Sequence, residues 1–220
     1  MATAPRLIAS LITGTVFLAT GAGATDDLAV REMAARAAAG SFVQQLGGAL
    51  KEEMQKGGPD HAILVCRDLA PQIAGEISRA NGWRVTRVGT RVRNPMLGLA
   101  DDWERQVLAD FADRAAKGEQ YPDMTYGEVV DIGGAKHYRF MKAIPVQEAC
   151  LKCHGAPEQI PDTVKAKLAS AYPHDRATGY QVGDLRGAVS IIQPLDIPLV
   201  PAAGDNAGNR PSAPGASVAY

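Results

Sequence analysis

Apolar positions change their spacing along the chain, helical at first and alternating later, and the change divides it into helices and then strands. Residues 25–56 are rich in Ala, Glu, Gln and Leu without a proline, and Thr25 or Asp26 is placed to cap the start. A long helix is predicted there, with Val43, Leu46, Leu50 and Met54 on one stripe. Gly57-Gly58-Pro59 ends it. Asp60 caps a second helix in which Ala62, Cys66, Leu69, Ile73 and Ile77 share a face, which turns Cys66 inward. Pro71 interrupts this helix as a kink or a restart, and Asn81-Gly82 closes it.

Residues 83–88 read as a strand, the segment 84–93 that overlaps it is basic, and an Asn94-Pro95 turn follows. Asp101 and Glu104 have the spacing of a capping box, which starts a third helix with Trp103, Val107, Phe111 and Ala115 as its buried stripe. Gly118 stops it. Residues 126–131 and 136–144 flank Gly133-Gly134 and predict an antiparallel hairpin. A short helix over 161–171, a loop over 172–184 and a last strand over 187–193 complete the pattern. Strands flanked by helices define an α+β domain with an antiparallel sheet.

The two ends differ from this middle. Arg6, the apolar run 7–20 and Ala22-Gly23-Ala24 have the order of a secretory leader, so residues 1–24 are expected to be removed on export; the alternative is an uncleaved anchor. Residues 202–220 are Pro, Gly, Ala, Asn and Ser with little to pack, which predicts a disordered tail and leaves 25–201 as one domain. A formal net charge of -1 gives no electrostatic reason to bind nucleic acid or an anionic membrane surface. Membrane association is expected only if the leader is retained.

Chemistry concentrates at Cys150-Leu151-Lys152-Cys153-His154, a C-x-x-C-H run of the kind that attaches c-type haem. Two thiols two residues apart add to the two vinyl groups of one haem, and the adjacent imidazole is placed to ligate the iron. Thioether attachment is carried out beyond the bacterial cytoplasm, so motif and leader agree on a periplasmic protein. A Cys150–Cys153 redox disulfide would want a βαβ setting, whereas this motif follows a hairpin. Structural zinc on Cys66, Cys150, Cys153 and His154 would strain two adjacent ligands into one tetrahedron.

Of the three cysteines in the chain, Cys66 is left over. It pairs between molecules, carries a reactive thiol, is buried and inert, or is a sixth ligand to iron, for which Met96, Met124, Met141, His61, His137 and His174 are rivals. A thiolate would lower the reduction potential and a thioether would raise it. Arg91, Arg93 and Arg186 offer forked donors to two haem propionates, or else belong to a solvated face. Trp83 and Tyr138 read as core residues.

Several separated segments carry a resemblance. Ala62-Ile63 through Cys66 with Ala70-Pro71, Arg93-Asn94-Pro95, Asp102-Trp103-Glu104, Tyr138-Arg139-Phe140, residues 150–155 and Gly183-Asp184-Leu185-Arg186-Gly187-Ala188 resemble the PAS-like c-type haem domains, a family of unknown function. The resemblance implies a PAS-like antiparallel sheet with long N-terminal helices around one covalent haem c. It also implies an upstream axial cysteine opposite the motif histidine, at Cys66, and a role in redox or small-ligand sensing. Met96-Leu97 after Arg-Asn-Pro departs from the family pattern, as does the lack of a transmitter or kinase within these residues.

The expectation is a periplasmic monohaem cytochrome c that senses redox state or a diatomic gas, with metal ligands His154 and Cys66 and a redox or signalling protein as partner. The alternative is a soluble low-potential electron carrier. No acid–base residue stands out beside an open iron position, so an enzyme such as a peroxidase is not expected.

Overall fold

A computed structural model of the chain describes residues 22–199. The leader expected over 1–24 lies outside these residues as far as 21, and the tail expected over 202–220 lies wholly outside them. Helix α1 (Ala22–Leu64) is broken where the sequence places its stop: Gly58 takes φ 68°, ψ -164°, and Pro59 restarts the chain. A π-helical turn, Val65–Leu69, follows, and α2 (Ala70–Asn81) continues from it with Pro in its first turn. The turn has a local cause. Pro71 has no N–H to give the i−4 carbonyl of Arg67, and the Ala70 N–H reaches back five residues to the Val65 carbonyl instead. Gly82, at φ 72°, ends α2 in a left-handed cap.

Strand β1 (Arg84–Gly89) leads to α3 (Pro95–Gly98), a single turn capped by the Asn94 side chain where only a bend is expected from the sequence. Helix α4 (Asp102–Ala116) starts in the expected capping box, with Asp101 accepting from the Glu104 N–H and Glu104 from the Asp101 N–H, both at 2.8 Å. Strands β2 (Thr125–Ile132) and β3 (Ala135–Pro145) form the hairpin across Gly133 and Gly134. One turn, α5 (Leu151–His154), carries the cysteine motif; α6 (Asp162–Ala171) and β4 (Leu185–Pro194) complete the described chain. The sheet is antiparallel throughout, in the order β1-β4-β3-β2, so the last strand lies inside it.

Alternation along the strands sends side chains to two layers. Phe140, Val189 and Ile191 pack with Phe42, Ile73, Ile77 and Trp83 beneath α1 and α2. On the opposite face Met141, Ala143 and Ala188 meet Val107, Leu108 and Phe111 of α4. Glu104 is 2% exposed, a costly place for a carboxylate, and it accepts from Ser190 Oγ at 2.6 Å with Arg139 at 3.4 Å. Helix α6 packs Val164 and Leu168 on Ile63 beyond the break in α1, with Cys153 against the same cluster. Among the described residues, no helix is long and apolar enough to cross a membrane.

Candidate cofactor site

Between the sheet and the α1–α2 pair lies a cavity of about 650 Å³, within the roughly 300–1,000 Å³ usual for small-molecule and cofactor pockets. Its walls are apolar: Leu46, Leu50 and Met54 come from α1, Ala70 and Ala74 from α2, and Val85 and Ile144 from the sheet. The stripe predicted on the first helix is therefore a cavity wall. Cys66, Cys150, Cys153 and His154 all line this one space. The π-turn carries Cys66, which is half-buried at the cavity wall.

Backbone bonds fix the motif. Helix α5 ends at Gly155, whose N–H bonds the Leu151 carbonyl at 2.9 Å. A Cβ at Gly155 would stand 2.7 Å from that same oxygen, so the close turn needs glycine. His154 Nδ1 lies 2.6 Å from the Ala177 carbonyl, an acceptor only, so Nδ1 carries the hydrogen and Nε2 keeps a lone pair. Burial, with Arg93 and Arg186 nearby, holds the imidazole well below its ordinary pKa, so it is neutral. The Tyr180 ring stands edge-on to His154 at 85°, 6.2 Å between centroids. Burial also pushes the Cys153 thiol up to about 11. The three cysteines are free thiols, and among the described residues no three His, Cys, Asp or Glu side chains converge on a bare metal site.

The charges around the cavity are one-sided. Arg67, Arg87, Arg91, Arg93, Lys142 and Arg186 line it, and among its described lining residues there is no Asp or Glu. Three of these cations are already occupied: Arg67 pairs with Asp68, Arg93 with Asp175 at 2.9 Å, and Lys142 donates to the Pro122 carbonyl. Arg93, expected at a propionate, is thus drawn into a protein ion pair. Arg91 donates to the Thr178 carbonyl at 2.6 Å and Arg186 to the Arg91 carbonyl at 3.1 Å, and both guanidiniums stack on Tyr180. The Arg87 guanidinium makes no hydrogen bond or ion pair within the described residues. An apolar cavity with uncompensated guanidiniums suits a largely apolar ligand that carries carboxylates.

None of the six rival ligands lines the cavity. Met124 and Met141 are fully buried under α4, Met96 is 89% exposed, and His61 and His174 face solvent. His137 bonds the Ala135 carbonyl at the tip of the hairpin. Trp83 and Tyr138 are buried in the core as expected.

Sequence reasoning missed four residues here. Arg87 was legible, because alternation from the buried Val85 puts it on the inner face of β1, an odd place for a cation without a ligand. Asp175, Tyr172 and Tyr180 lie on or beside an irregular loop where no periodicity marks them.

Fold and site together define an α+β cofactor-pocket protein in which a Cys-x-x-Cys-His turn faces a third cysteine. A family model described as Tll0287-like (Tll0287) matches residues 25–194, and the chain belongs to that family. In structure it is similar to the cyanobacterial heme-protein Tll0287, with a TM-score of 0.54 and 28% sequence identity over 77% of this chain and 96% of that one. Comparison with curated proteins gave no match.

Proposed function

We propose that this chain is an exported PAS-like module that holds one haem c in the cavity and senses redox state or a diatomic gas. The observation that carries the reading is the convergence of Cys150, Cys153, His154 and Cys66 on one apolar cavity whose described lining holds cations but no Asp or Glu. The similarity to a heme-protein supports it. Cys150 and Cys153 would hold the group by thioethers, His154 would ligate through Nε2, and Cys66 would approach from the π-turn. Arg87 and Arg186 would meet the propionates, with Leu46, Leu50 and Met54 excluding water. When bound, haem would supply an iron that changes by one electron and that could take a diatomic ligand once the Cys66 sulfur leaves it.

In this reading Cys66 is the transmitting residue. Its π-turn joins α1 to α2, so a sulfur held or released there biases the junction of the two helices, and a redox or signalling partner reads the outer surface. A soluble low-potential electron carrier is the second reading, favoured by the exposed apolar side chains of Met96, Leu97 and Leu99, of which Leu97 also lines the cavity. Haemochrome assay after Cys150→Ala and Cys153→Ala tests attachment; undiminished covalent haem would sink the proposal. Carbon monoxide or nitric oxide added to the reduced protein separates the two roles, because a carrier with fixed ligands binds neither.

A further inference from the structure

Asp175 holds a position that haem attachment alone does not require. One carboxylate oxygen accepts the Ala177 N–H at 2.7 Å, closing a turn on its own loop, and the other accepts Arg93 Nε at 2.9 Å. Arg93, 8% exposed, extends its fork to the Cys153 carbonyl at 2.5 Å and, at 3.4 Å, to the Ala177 carbonyl. That carbonyl is the one His154 Nδ1–H donates to at 2.6 Å. The loop is also laced to the motif by Gly179 N–H to the Gly155 carbonyl, 2.8 Å, and Tyr180 N–H to the His154 carbonyl, 3.0 Å. Two donors, an imidazole and a guanidinium, thus face a single oxygen, and Asp175 fixes both the loop that carries the oxygen and the cation that competes for it.

We propose that Asp175, with Arg93, is a positioning residue for His154 that sets the strength of its Nδ1–H bond and hence how strongly the ring donates to a metal at Nε2. The inference rests on reading His154 as an iron ligand. A stronger bond at Nδ1 gives the ring more imidazolate character and favours the oxidised metal; a weaker one favours the reduced. With the carboxylate in place, Arg93 is committed to it and touches Ala177 only at long range. Without the carboxylate the guanidinium is free to take the Ala177 carbonyl outright, at the expense of His154.

The test is Asp175→Asn in the holoprotein. The amide oxygen still accepts the Ala177 N–H, so the turn is kept and only the hold on Arg93 is lost. Two quantities are read: the midpoint potential, and the solvent-exchange rate of the His154 Nδ1 proton in the diamagnetic reduced protein by ¹⁵N-resolved NMR. The expected result is a tenfold change in the oxidised-to-reduced ratio at fixed ambient potential, towards reduced, which is about 59 mV for one electron, with exchange at least about tenfold faster. Asp175→Glu, which keeps the charge, is expected to recover most of both.

A potential that moves with wild-type exchange would mean charge alone and overturns the proposal, as does no change in either. Arg93→Lys supplies a second handle that does not depend on Asp175→Asn folding. It keeps the charge and removes the guanidinium that competes for the Ala177 carbonyl, so slower exchange than wild type supports the proposal and wild-type or faster exchange overturns it. Absence of covalent haem from the wild-type protein would instead refute the underlying reading of the site.

Discussion

Gly47 separates a cavity built for a ligand from a mere packing defect. It lies on the α1 wall between Leu46 and Leu50, and a Cβ placed there meets nothing within 4 Å. Gly48 has the same open surroundings but does not line the cavity. Glycine inside a helix costs about 1 kcal/mol relative to alanine, so Gly47→Ala and Gly48→Ala should each stabilise haem-free protein by about that amount. For a domain of this size the gain is a Tm rise of about 2–4 °C. Phenylalanine distinguishes the two sites. Burying ~150 Å² of ring at ~25 cal/mol per Å² is worth about 4 kcal/mol, an upper figure, and at Gly47 that ring takes space a cofactor would occupy. The assay is haem per polypeptide by pyridine haemochrome on exported protein, beside thermal melts of haem-free protein. Gly47→Phe should lose most of its haem while its haem-free Tm holds or rises, and Gly48→Phe should load as wild type does. Full loading of Gly47→Phe would refute the assignment of this cavity.

Other outcomes follow from individual groups. In a Cys150→Ala/Cys153→Ala background, where haem is held without thioethers, Arg87→Met should weaken haem affinity about tenfold, ~1.4 kcal/mol, without lowering the haem-free Tm; unchanged affinity in a titration would remove Arg87 from the site. Glu104→Ala leaves the buried Ser190 hydroxyl without its acceptor and Arg139 with Asp101 alone, and should cost about 1–3 kcal/mol in urea denaturation. At Asp101, burial works to raise the pKa, but the Glu104 N–H and Arg139 outweigh it and leave the carboxyl depressed. A depressed folded value means its contribution is complete above the ordinary value of about 3.9 and is lost as pH falls through the folded value. Asp101→Ala should therefore cost about 1 kcal/mol at pH 7, with the gap to wild type closing towards pH 2.

How far the sequence reaches depends on whether a feature is local. The glycine break before Pro59, the Asp101–Glu104 box, the hairpin at Gly133 and the helix over 162–171 are each written within a few residues, and each is found where its residues put it. The π-turn was hidden because an i, i+4 stripe through Cys66 assumes the regular period that Pro71 disrupts in the turn before it, Val65–Leu69. Strand order was hidden as well: β4 inserts between β1 and β3 through Val85–Ile191 and Phe140–Ile191 partnerships that no short segment encodes.

In the site, the motif residues were legible as a spacing and Cys66 through resemblance, and the structure places all four on one cavity. The role of Arg93 was not legible, since its partner Asp175 stands far along the chain in a loop without period. Nor does composition reveal that cations and no Asp or Glu line the cavity among its described residues, because Lys plus Arg and Asp plus Glu nearly balance over the whole chain, 23 against 24.

The central claim, haem held between His154 and Cys66, is tested most directly by the ferric spectrum of exported protein before and after Cys66→Ser. Wild type should show c-type bands with a weak near-infrared thiolate-to-iron charge-transfer band, and Cys66→Ser should keep the covalent haem, lose that band and gain a higher midpoint potential. A Cys66→Ser protein whose ferric spectrum and potential match wild type would contradict the account.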